Sequence, residues 1–269
     1  MTNNTTSFID GVNFYLSGVV LLIVCVLGLA ANSLVAIVLT HKSYKHSSTS
    51  VFLLALALFD SLVLACTLFL ICFQPLSEEY STLIHPNIMP YVYPLALTAQ
   101  TCTIWITVSF TVERYIAVTH PISATRLCTV KRARVITVIV ACLSILYNLT
   151  RWFEYRTAAV IPSANATSDF IPEAPYQIRS TALLNSEYES VYFTGLYLTV
   201  MCIIPVVLLS VLNYLLIHAV QQSRNGKLGV GNRTSSAKEN NITIMLVSVV
   251  AVFIICQVRM ANHSHSDFT

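Results

Sequence analysis

The chain has 269 residues, of which 55% are hydrophobic and only 10% are charged, and its formal net charge is +3. Ordinary soluble domains have roughly 25% charged residues, so this chain is too poor in charge to coat a surface that faces water and belongs in a bilayer. Its basic residues are spread along the chain instead of being concentrated, which argues against a nucleic-acid partner.

Six apolar stretches are long enough to cross a hydrocarbon core, which needs about 20 helical residues. They lie at roughly 13–40, 48–74, 87–119, 131–152, 188–220 and 239–258. Because backbone polar groups in lipid must be hydrogen-bonded internally, helices are expected and open strands are not. The predicted fold is an all-α, polytopic transmembrane helix bundle over residues 13–258, between an outer tail (1–12) and a polar tail (259–269). No soluble domain remains outside the spans, and we predict no enzyme.

Lysine and arginine alternate between the connections that join the spans. They cluster in three connections, at Lys42 and Lys45, at Arg126, Lys131, Arg132 and Arg134, and at Arg224, Lys227, Arg233 and Lys238. The positive-inside rule places these connections in the cytoplasm and the N-terminus outside, as in a multi-pass protein of the plasma membrane. The sequons at Asn3, Asn4 and Asn165 then fall in an outer tail and an outer loop, where glycans can be attached.

Polar residues interrupt the first two spans. Asn32 lies in GLAANSLVAIVL and Asp60 in LALALFDSLVL. A carboxylate near the middle of a bilayer is costly unless it is paired or hydrated, so Asp60 should face the bundle and coordinate a partner. Thr103 on the third span could supply a hydroxyl. The alternative is a protonated, hydrogen-bonded Asp60 in a packed bundle.

The third span carries two polar features. At its cytoplasmic end, VERYIAVTHP contains Glu113, Arg114 and Tyr115, either as an ion pair at the helix end or as a functional switch, since ionisable groups in a span indicate function. Over the half of the span that ends in this motif, polar residues recur at steps of 3, 4, 4 and 3, which places them on one helical face. This stripe either lines the bundle interior or is a packing face of small polar residues: Gln100, Thr103, Thr107, Thr111 and Arg114.

The long outer loop at about 153–187 predicts a β-hairpin lid. Its segments YRTAAVIP (155–162) and YQIRSTALL (176–184) partly alternate around the turn-rich SANATSD. The outer segments hold eight acids, Asp10, Glu78, Glu79, Glu154, Asp169, Glu173, Glu187 and Glu189, against Arg151, Arg156 and Arg179. This excess favours a cationic ligand, or it is a solvated acidic surface.

Taken together, these motifs resemble those of rhodopsin-like G-protein-coupled receptors. Further matches are Asn32, Asp60, Pro205 in CIIPVVLL, and Phe253 and Cys256 in MLVSVVAVFIIC. The resemblance implies that Glu113 restrains Arg114 until activation frees it to meet a heterotrimeric G protein. It also implies that Asp60 binds Na⁺, with Asn32 nearby; no other cofactor and no other metal site is predicted.

A more specific resemblance covers about residues 25–258. HPNIMPYVYPLALTAQTCTIWITVSFTVERY, HPISATRLCTVKRARVITVIV and SILYNLTRWFEY look like invertebrate FMRFamide-type neuropeptide receptors. This implies a peptide ligand of the Arg-Phe-amide type. Ala96 stands where amine receptors carry an aspartate, which argues against an amine. The expected ligand cavity comprises Ala96, Gln100, Glu78, Glu79, Glu187 and Glu189.

Several positions depart from the pattern of this family. The usual disulfide from the third span to the second outer loop lacks both cysteines: Met89 stands near one position, and no cysteine occurs between Cys142 and Cys202. We therefore predict no disulfide framework. The fourth span lacks the family's tryptophan in its middle, and Trp152 lies at its outer end instead. On the fifth span Asn213 stands where many relatives have a tyrosine, and Tyr214 comes one residue later. Gln257 stands after Cys256, where the family has a tryptophan.

The last expectation concerns the end of the chain. After FIICQV the family continues with a proline and a seventh span, whereas Arg259 stands here at the proline position. We expect a receptor truncated within its sixth span, by alternative splicing or an incomplete gene model. Two functions stay open: a signalling neuropeptide receptor, and a non-signalling membrane protein that at most binds ligand or forms a dimer with full-length receptor. A solute carrier is less favoured because no inverted repeat is visible.

Overall fold

The computed structural model describes residues 11, 14–41, 47–159, 176–181 and 195–225. Several predicted features lie outside these residues: the sixth span at 239–258 with Phe253 and Cys256, the sequons at Asn3, Asn4 and Asn165, and Glu187 and Glu189.

Five helices in the described part are long and apolar enough to cross a membrane. The first span is Phe14–Thr40, the second Ser48–Cys72, the third Tyr80–Thr119, the fourth Val130–Phe153 and the fifth Gly195–Ala219. They correspond to the first five predicted stretches. The predicted helical membrane bundle is therefore confirmed.

Each span is mainly an α-helix, and one end of the span is wound as a π-helical or 3₁₀ turn. The α-helices are Leu21–Thr40, Ser48–Thr67, His85–Thr119, Val130–Tyr147 and Ile204–Asn225, with a short helix Pro121–Leu127 after the third span. The π-helical turns are Phe14–Val20, Leu68–Cys72, Tyr80–Ile84 and Thr199–Ile203, and the fourth span ends in the 3₁₀ turn Leu149–Phe153.

The third span begins at Tyr80 and not at residue 87, as the apolar pattern predicts. Its outer part contains Pro86, which the apolar pattern leaves just outside the span, and Pro90 and Pro94 inside the helix. A proline in the first helical turn is tolerated because its missing N–H would have had no helical partner. The two prolines inside the helix each remove one backbone hydrogen bond, which neighbouring segments of a membrane protein can replace.

The outward faces of the spans are apolar. On the first span, for example, Leu27 is 64% exposed and Ile37 is 70% exposed. Large apolar patches of this kind are rare on soluble monomers. Acyl chains of a bilayer are the solvent that suits these faces.

The centre of the bundle is the third span, which contacts the second, fourth and fifth spans and the hairpin. A buried core joins the second, third and fourth spans through Phe52, Ala55, Cys102, Ile106 and Ala133. The first span packs against the second, where a Cβ on Gly28 would lie 2.7 Å from Leu64 Cδ1. The glycine therefore permits the close approach of these two helices.

Between the fourth and fifth spans the chain forms two antiparallel strands, β1 (Tyr155–Ala159) and β2 (Tyr176–Ser180). Tyr155 pairs with Ser180, and Ala159 pairs with Tyr176. The predicted hairpin is confirmed over these residues. Both strands contact the third span, so the hairpin lies at the end of the bundle opposite Glu113 and Arg114.

Candidate functional site

The inner end of the bundle joins the acid–arginine motif of the third span to the start of the second. The Ser48 hydroxyl donates to Glu113 Oε1, and Arg114 Nη2 donates to the Thr49 hydroxyl. Arg114 Nη2 lies 3.5 Å from Glu113 Oε2, and its guanidinium lies 5.4 Å from the centre of the Phe110 ring. The Glu113 side chain is 8% exposed and that of Arg114 is 36% exposed. Arg114 is thus held on one side and open on the other.

Sequence reasoning missed the two hydroxyls that hold this motif. Ser48 and Thr49 begin a helix, where Ser and Thr are usually present to cap backbone N–H groups. The structure gives the preceding Ser47 no side-chain capping bond, and Ser48 and Thr49 reach the third span instead. Whether such residues cap their own helix or bond to the third span depends on the distance between the two helices, which the local sequence does not indicate.

The rest of the inner motif is less constrained. Tyr115 is half-buried, and its carbonyl accepts a hydrogen bond from Thr119 Oγ1 at 2.8 Å. Just beyond the third span, Cys128 Sγ lies 3.8 Å from the Glu113 carbonyl oxygen. Burial raises the pKa of the Cys128 thiol, the Glu113 carboxylate raises it further, and Arg114 lowers it. The thiol therefore stays protonated at neutral pH and is poorly nucleophilic.

Asp60 and Thr103 meet in the middle of the bundle. Thr103 Oγ1 donates to Asp60 Oδ1 at 2.8 Å. Asn32 is half-buried on the first span, which packs against the second. A carboxylate and a hydroxyl oxygen are donors that suit a hard cation. The same bond also suits an Asp60 that is simply hydrogen-bonded in a packed bundle.

The polar stripe of the third span divides into two kinds of residue. Thr107 Oγ1 donates to the Thr103 carbonyl, and Thr111 Oγ1 donates to the Thr107 carbonyl, each at 2.8 Å. These hydroxyls are satisfied by their own helix, as in a packing face. Thr103 and Arg114, by contrast, bond to side chains of the second span. Gln100 is half-buried.

Pro205 is fully buried on the fifth span, directly after the π-helical turn Thr199–Ile203. Because proline lacks an N–H, the preceding turn cannot keep regular α-helical bonding, and a π-turn is one way to accommodate this.

Further along the fifth span, Asn213 is buried whereas Tyr214 is 67% exposed. Tyr214 therefore faces away from the bundle and does not replace the tyrosine that relatives carry at the position of Asn213.

The predicted ligand-cavity residues do not form one cluster in the described part of the chain. Ala96 and Gln100 are half-buried on the third span, whereas Glu78 and Glu79 are exposed before it begins. Ala96 lies about 25 Å along the helix from Glu79, at 1.5 Å per residue. Glu79 lines an outer cleft of about 310 Å³ with Phe73, Leu76, Ser77, Tyr80 and Ile84.

A buried polar cluster beneath the hairpin is the main feature that sequence reasoning missed. Arg151 Nη1 lies 3.0 Å from Glu154 Oε1 and 3.2 Å from Oε2, and both side chains are fully buried. The Arg151 guanidinium lies 5.5 Å from the centre of the Tyr197 ring on the fifth span. One turn earlier, Asn148 Nδ2 donates to Thr101 Oγ1 at 2.8 Å. The cluster therefore joins the third, fourth and fifth spans.

This pair removes one acid and one base from the charge count of the outer segments and leaves its excess of five acids unchanged. Arg151 and Glu154 neutralise each other away from solvent, so neither belongs to the outer surface. The exposed charges of the described outer segments are then two acids, Glu78 and Glu79, and two arginines, Arg156 and Arg179, which face each other across the hairpin. The described residues therefore show no acidic excess, and the remaining acids of the count lie outside them.

A bundle of apolar helices with a shielded acid–arginine pair at one end and a hairpin across the other is the architecture of a polytopic membrane receptor. The family "7 transmembrane receptor (rhodopsin family)" matches residues 31–263, and this chain belongs to it. The predicted class is thus confirmed.

Among curated proteins, the chain is similar to the FMRFamide receptor of Drosophila melanogaster, with 31% identity over 249 residues, 90% of this chain and 44% of that protein. It is also similar to the FMRFamide peptide receptor frpr-18 of Caenorhabditis elegans, with 31% identity over 140 residues, which are 51% of this chain and 32% of that protein. The sex peptide receptor of Drosophila melanogaster is 26% identical to this chain over 252 residues, which are 88% of this chain and 57% of that protein. The chain spans about half the length of the curated relatives it matches.

Proposed function

We propose that this chain acts as a G-protein-coupled receptor for a neuropeptide of the FMRFamide type. The observation that carries the proposal is Arg114, which is held by Thr49 and Glu113 while its side chain is still 36% exposed. Peptide binding at the outer end shifts the bundle toward a state in which the second and third spans separate at their inner ends. Arg114 then loses these partners and becomes available to a heterotrimeric G protein.

The energies of these contacts suit a switch. A hydrogen bond that involves a charged group contributes about 1.5–3 kcal/mol, and the exposed side of Arg114 is hydrated in both states. Exchange of the Thr49 hydroxyl for a G-protein acceptor therefore costs little overall. The Glu113 carboxylate, shielded from water and bonded to Ser48, supplies the charge that keeps Arg114 in place.

The ligand class rests on similarity and not on charge. Two of the relatives are FMRFamide receptors by name, whereas the described outer residues carry no acidic excess. An Arg-Phe-amide peptide is therefore proposed from the relatives. We further propose that the protein lies in the plasma membrane with its N-terminus outside, as the basic connections indicate. Association with a second receptor copy stays a prediction.

The direct test uses a receptor chimera, in which residues 1–256 of this chain lead into the C-terminal part of the Drosophila FMRFamide receptor. Amidated Arg-Phe peptides at micromolar concentration should activate G protein in cells that express the chimera. The matched peptides with a free C-terminal carboxylate should be at least about tenfold weaker, because loss of a buried hydrogen bond and a new charge cost more than 1.4 kcal/mol.

Second-messenger output is measured per receptor detected at the surface by an N-terminal epitope on intact cells. A chimera that reaches the surface but responds to no amidated Arg-Phe peptide contradicts the proposed ligand class. Detection of the epitope only after permeabilisation contradicts the proposed orientation.

We also propose that Asp60 and Thr103 hold a sodium ion in the inactive state. A bound sodium ion would place its positive charge beside the Asp60 carboxylate, which is costly in a span without a partner. Thr103 contributes a hydroxyl oxygen and fixes the carboxylate by its 2.8 Å hydrogen bond. Asn32 lies on the adjacent helix, from which an amide oxygen can contribute.

Sodium should therefore weaken agonist binding to the chimera about fivefold or more, the usual size of a coupling between two sites. Asp60→Asn and Thr103→Val should remove this effect, and Thr103→Ser should keep it because the hydroxyl remains. Agonist affinity is compared in sodium chloride and in N-methylglucamine chloride at equal ionic strength. An Asp60→Asn variant with undiminished sodium sensitivity would show that the carboxylate is a packed structural group.

A further inference from the structure

The hairpin is fastened to the bundle at its open end, where β1 begins and β2 ends. After β2, the Thr181 amide donates to the Glu154 carbonyl at 2.8 Å, and the Thr181 hydroxyl donates to the Phe153 carbonyl at 2.5 Å. At the start of β1, the buried Tyr155 packs edge-on against Tyr93 of the third span, with 5.7 Å between ring centres. The end of β2 is therefore tied to the end of the fourth span, and the beginning of β1 is tied to the third span.

A proline of the third span provides a second attachment point. In a regular helix the carbonyl of Pro86 would accept from the N–H of residue 90, but residue 90 is a proline and has none. Thr157 Oγ1 on β1 donates to this Pro86 carbonyl at 2.6 Å. The position that the apolar pattern leaves just outside the span thus supplies the acceptor that binds the hairpin.

Beneath these contacts lies the ion pair of Arg151 and Glu154. Glu154 directly precedes β1, so the position of its carboxylate fixes where the strand starts. Both side chains are fully buried, and removal of one partner from such a pair leaves a charge without compensation, which is strongly destabilising. Arg151 is fixed in turn by the Tyr197 ring of the fifth span.

We propose that Arg151, acting through Glu154, is a positioning residue that holds the hairpin closed on the third span without a covalent bond. The outer clamp, as we name it, consists of Tyr93, Arg151, Glu154, Tyr155 and Tyr197. The sequence has no cysteine between Cys142 and Cys202, so no residue of the hairpin can form a disulfide. The closed position then depends on a buried charge pair and is insensitive to reductants.

The experiment compares two reporter cysteines on opposite faces of β1 in the full 269-residue chain. Thr157→Cys reports on the face that packs against the third span, and Arg156→Cys reports on the exposed face. Each is reacted with a membrane-impermeant maleimide in permeabilised cells, so that the result does not depend on orientation. The chain without a reporter gives the background from its native cysteines.

In chains with the native pair, residue 157 should react slowly and residue 156 quickly. Arg151→Met or Glu154→Gln should raise the rate at residue 157 at least about tenfold, as expected for loss of a buried partner, and leave the rate at residue 156 within about twofold. The charge swap, Arg151→Glu with Glu154→Arg, should return residue 157 to a slow rate. Treatment with a reductant, removed before labelling, should change neither rate.

The proposal is overturned if residue 157 reacts at the native rate in both single variants, or if reductant alone opens the hairpin. A charge swap that reacts as fast as the single variants would assign the opening to lost packing and would also overturn it. Should Arg151→Met fail to accumulate, Arg151→Lys replaces it: the charge is kept but the planar guanidinium over the Tyr197 ring is lost, and an intermediate rate is expected. A native rate in Arg151→Lys together with a native rate in Glu154→Gln contradicts the clamp.

Discussion

Arg114→Ala should abolish peptide-stimulated G-protein activation by the receptor chimera while leaving its surface level within about twofold. Among the described residues, the guanidinium contacts Thr49, Glu113 and the Phe110 ring, all at the same end of the bundle, so its loss leaves the hairpin undisturbed. Loss of a hydrogen bond to a charged group costs about 1.5–3 kcal/mol, which is only part of the roughly 5–15 kcal/mol that stabilises a folded domain. The activated state, however, loses the one partly open cation that the motif presents to a G protein.

Two control variants sharpen this expectation. Arg132→Ala removes an exposed arginine at the start of the fourth span and should change the response less than about threefold, as expected for a solvated charge. Arg114→Lys keeps the charge but not the planar fork and should retain a small part of the response. Full agonist response from surface-expressed Arg114→Ala would remove the central element of the proposed mechanism.

Sequence patterns predict those parts of the fold that follow from the hydrophobicity of a segment and from the spacing of its polar and apolar residues. Low charge and long apolar runs indicate the spans, and partial alternation on both sides of a turn-rich segment indicates the hairpin. Thr103 could be matched to Asp60 because a 3.6-residue period places it on the inner face of the third span. These inferences need no knowledge of how far apart two helices lie.

What the sequence could not predict depends on contacts between segments. Ser48 and Thr49 look like capping residues until the third span is placed beside them. Arg151 and Glu154 look like loop charges, because the five-residue 3₁₀ turn before the strand gives no periodic signal that would bury them. The same applies to Pro86, whose carbonyl becomes an acceptor for Thr157 only when the hairpin folds over it.

Glu113→Gln should raise the basal, peptide-independent activity of the chimera about fivefold per surface receptor. Glutamine has nearly the same shape and can still accept from Ser48, so the change removes mainly the negative charge that lies 3.5 Å from Arg114 Nη2. Loss of about 1 kcal/mol of restraint shifts the population between two states roughly fivefold. The shielding of Glu113 strengthens this interaction, and the partial exposure of Arg114 limits it.

Matched variants separate charge from packing in this prediction. Glu113→Asp keeps the carboxylate and should keep basal activity low, whereas Thr49→Val removes one bond to Arg114 at constant shape and should raise it by a smaller factor. The double variant Glu113→Gln with Arg114→Ala should be silent, because the released residue is then absent. A basal level that rises in Glu113→Asp as much as in Glu113→Gln would indicate general loosening of the inner end. A rise that survives in the double variant would show that Arg114 is not the group that Glu113 restrains.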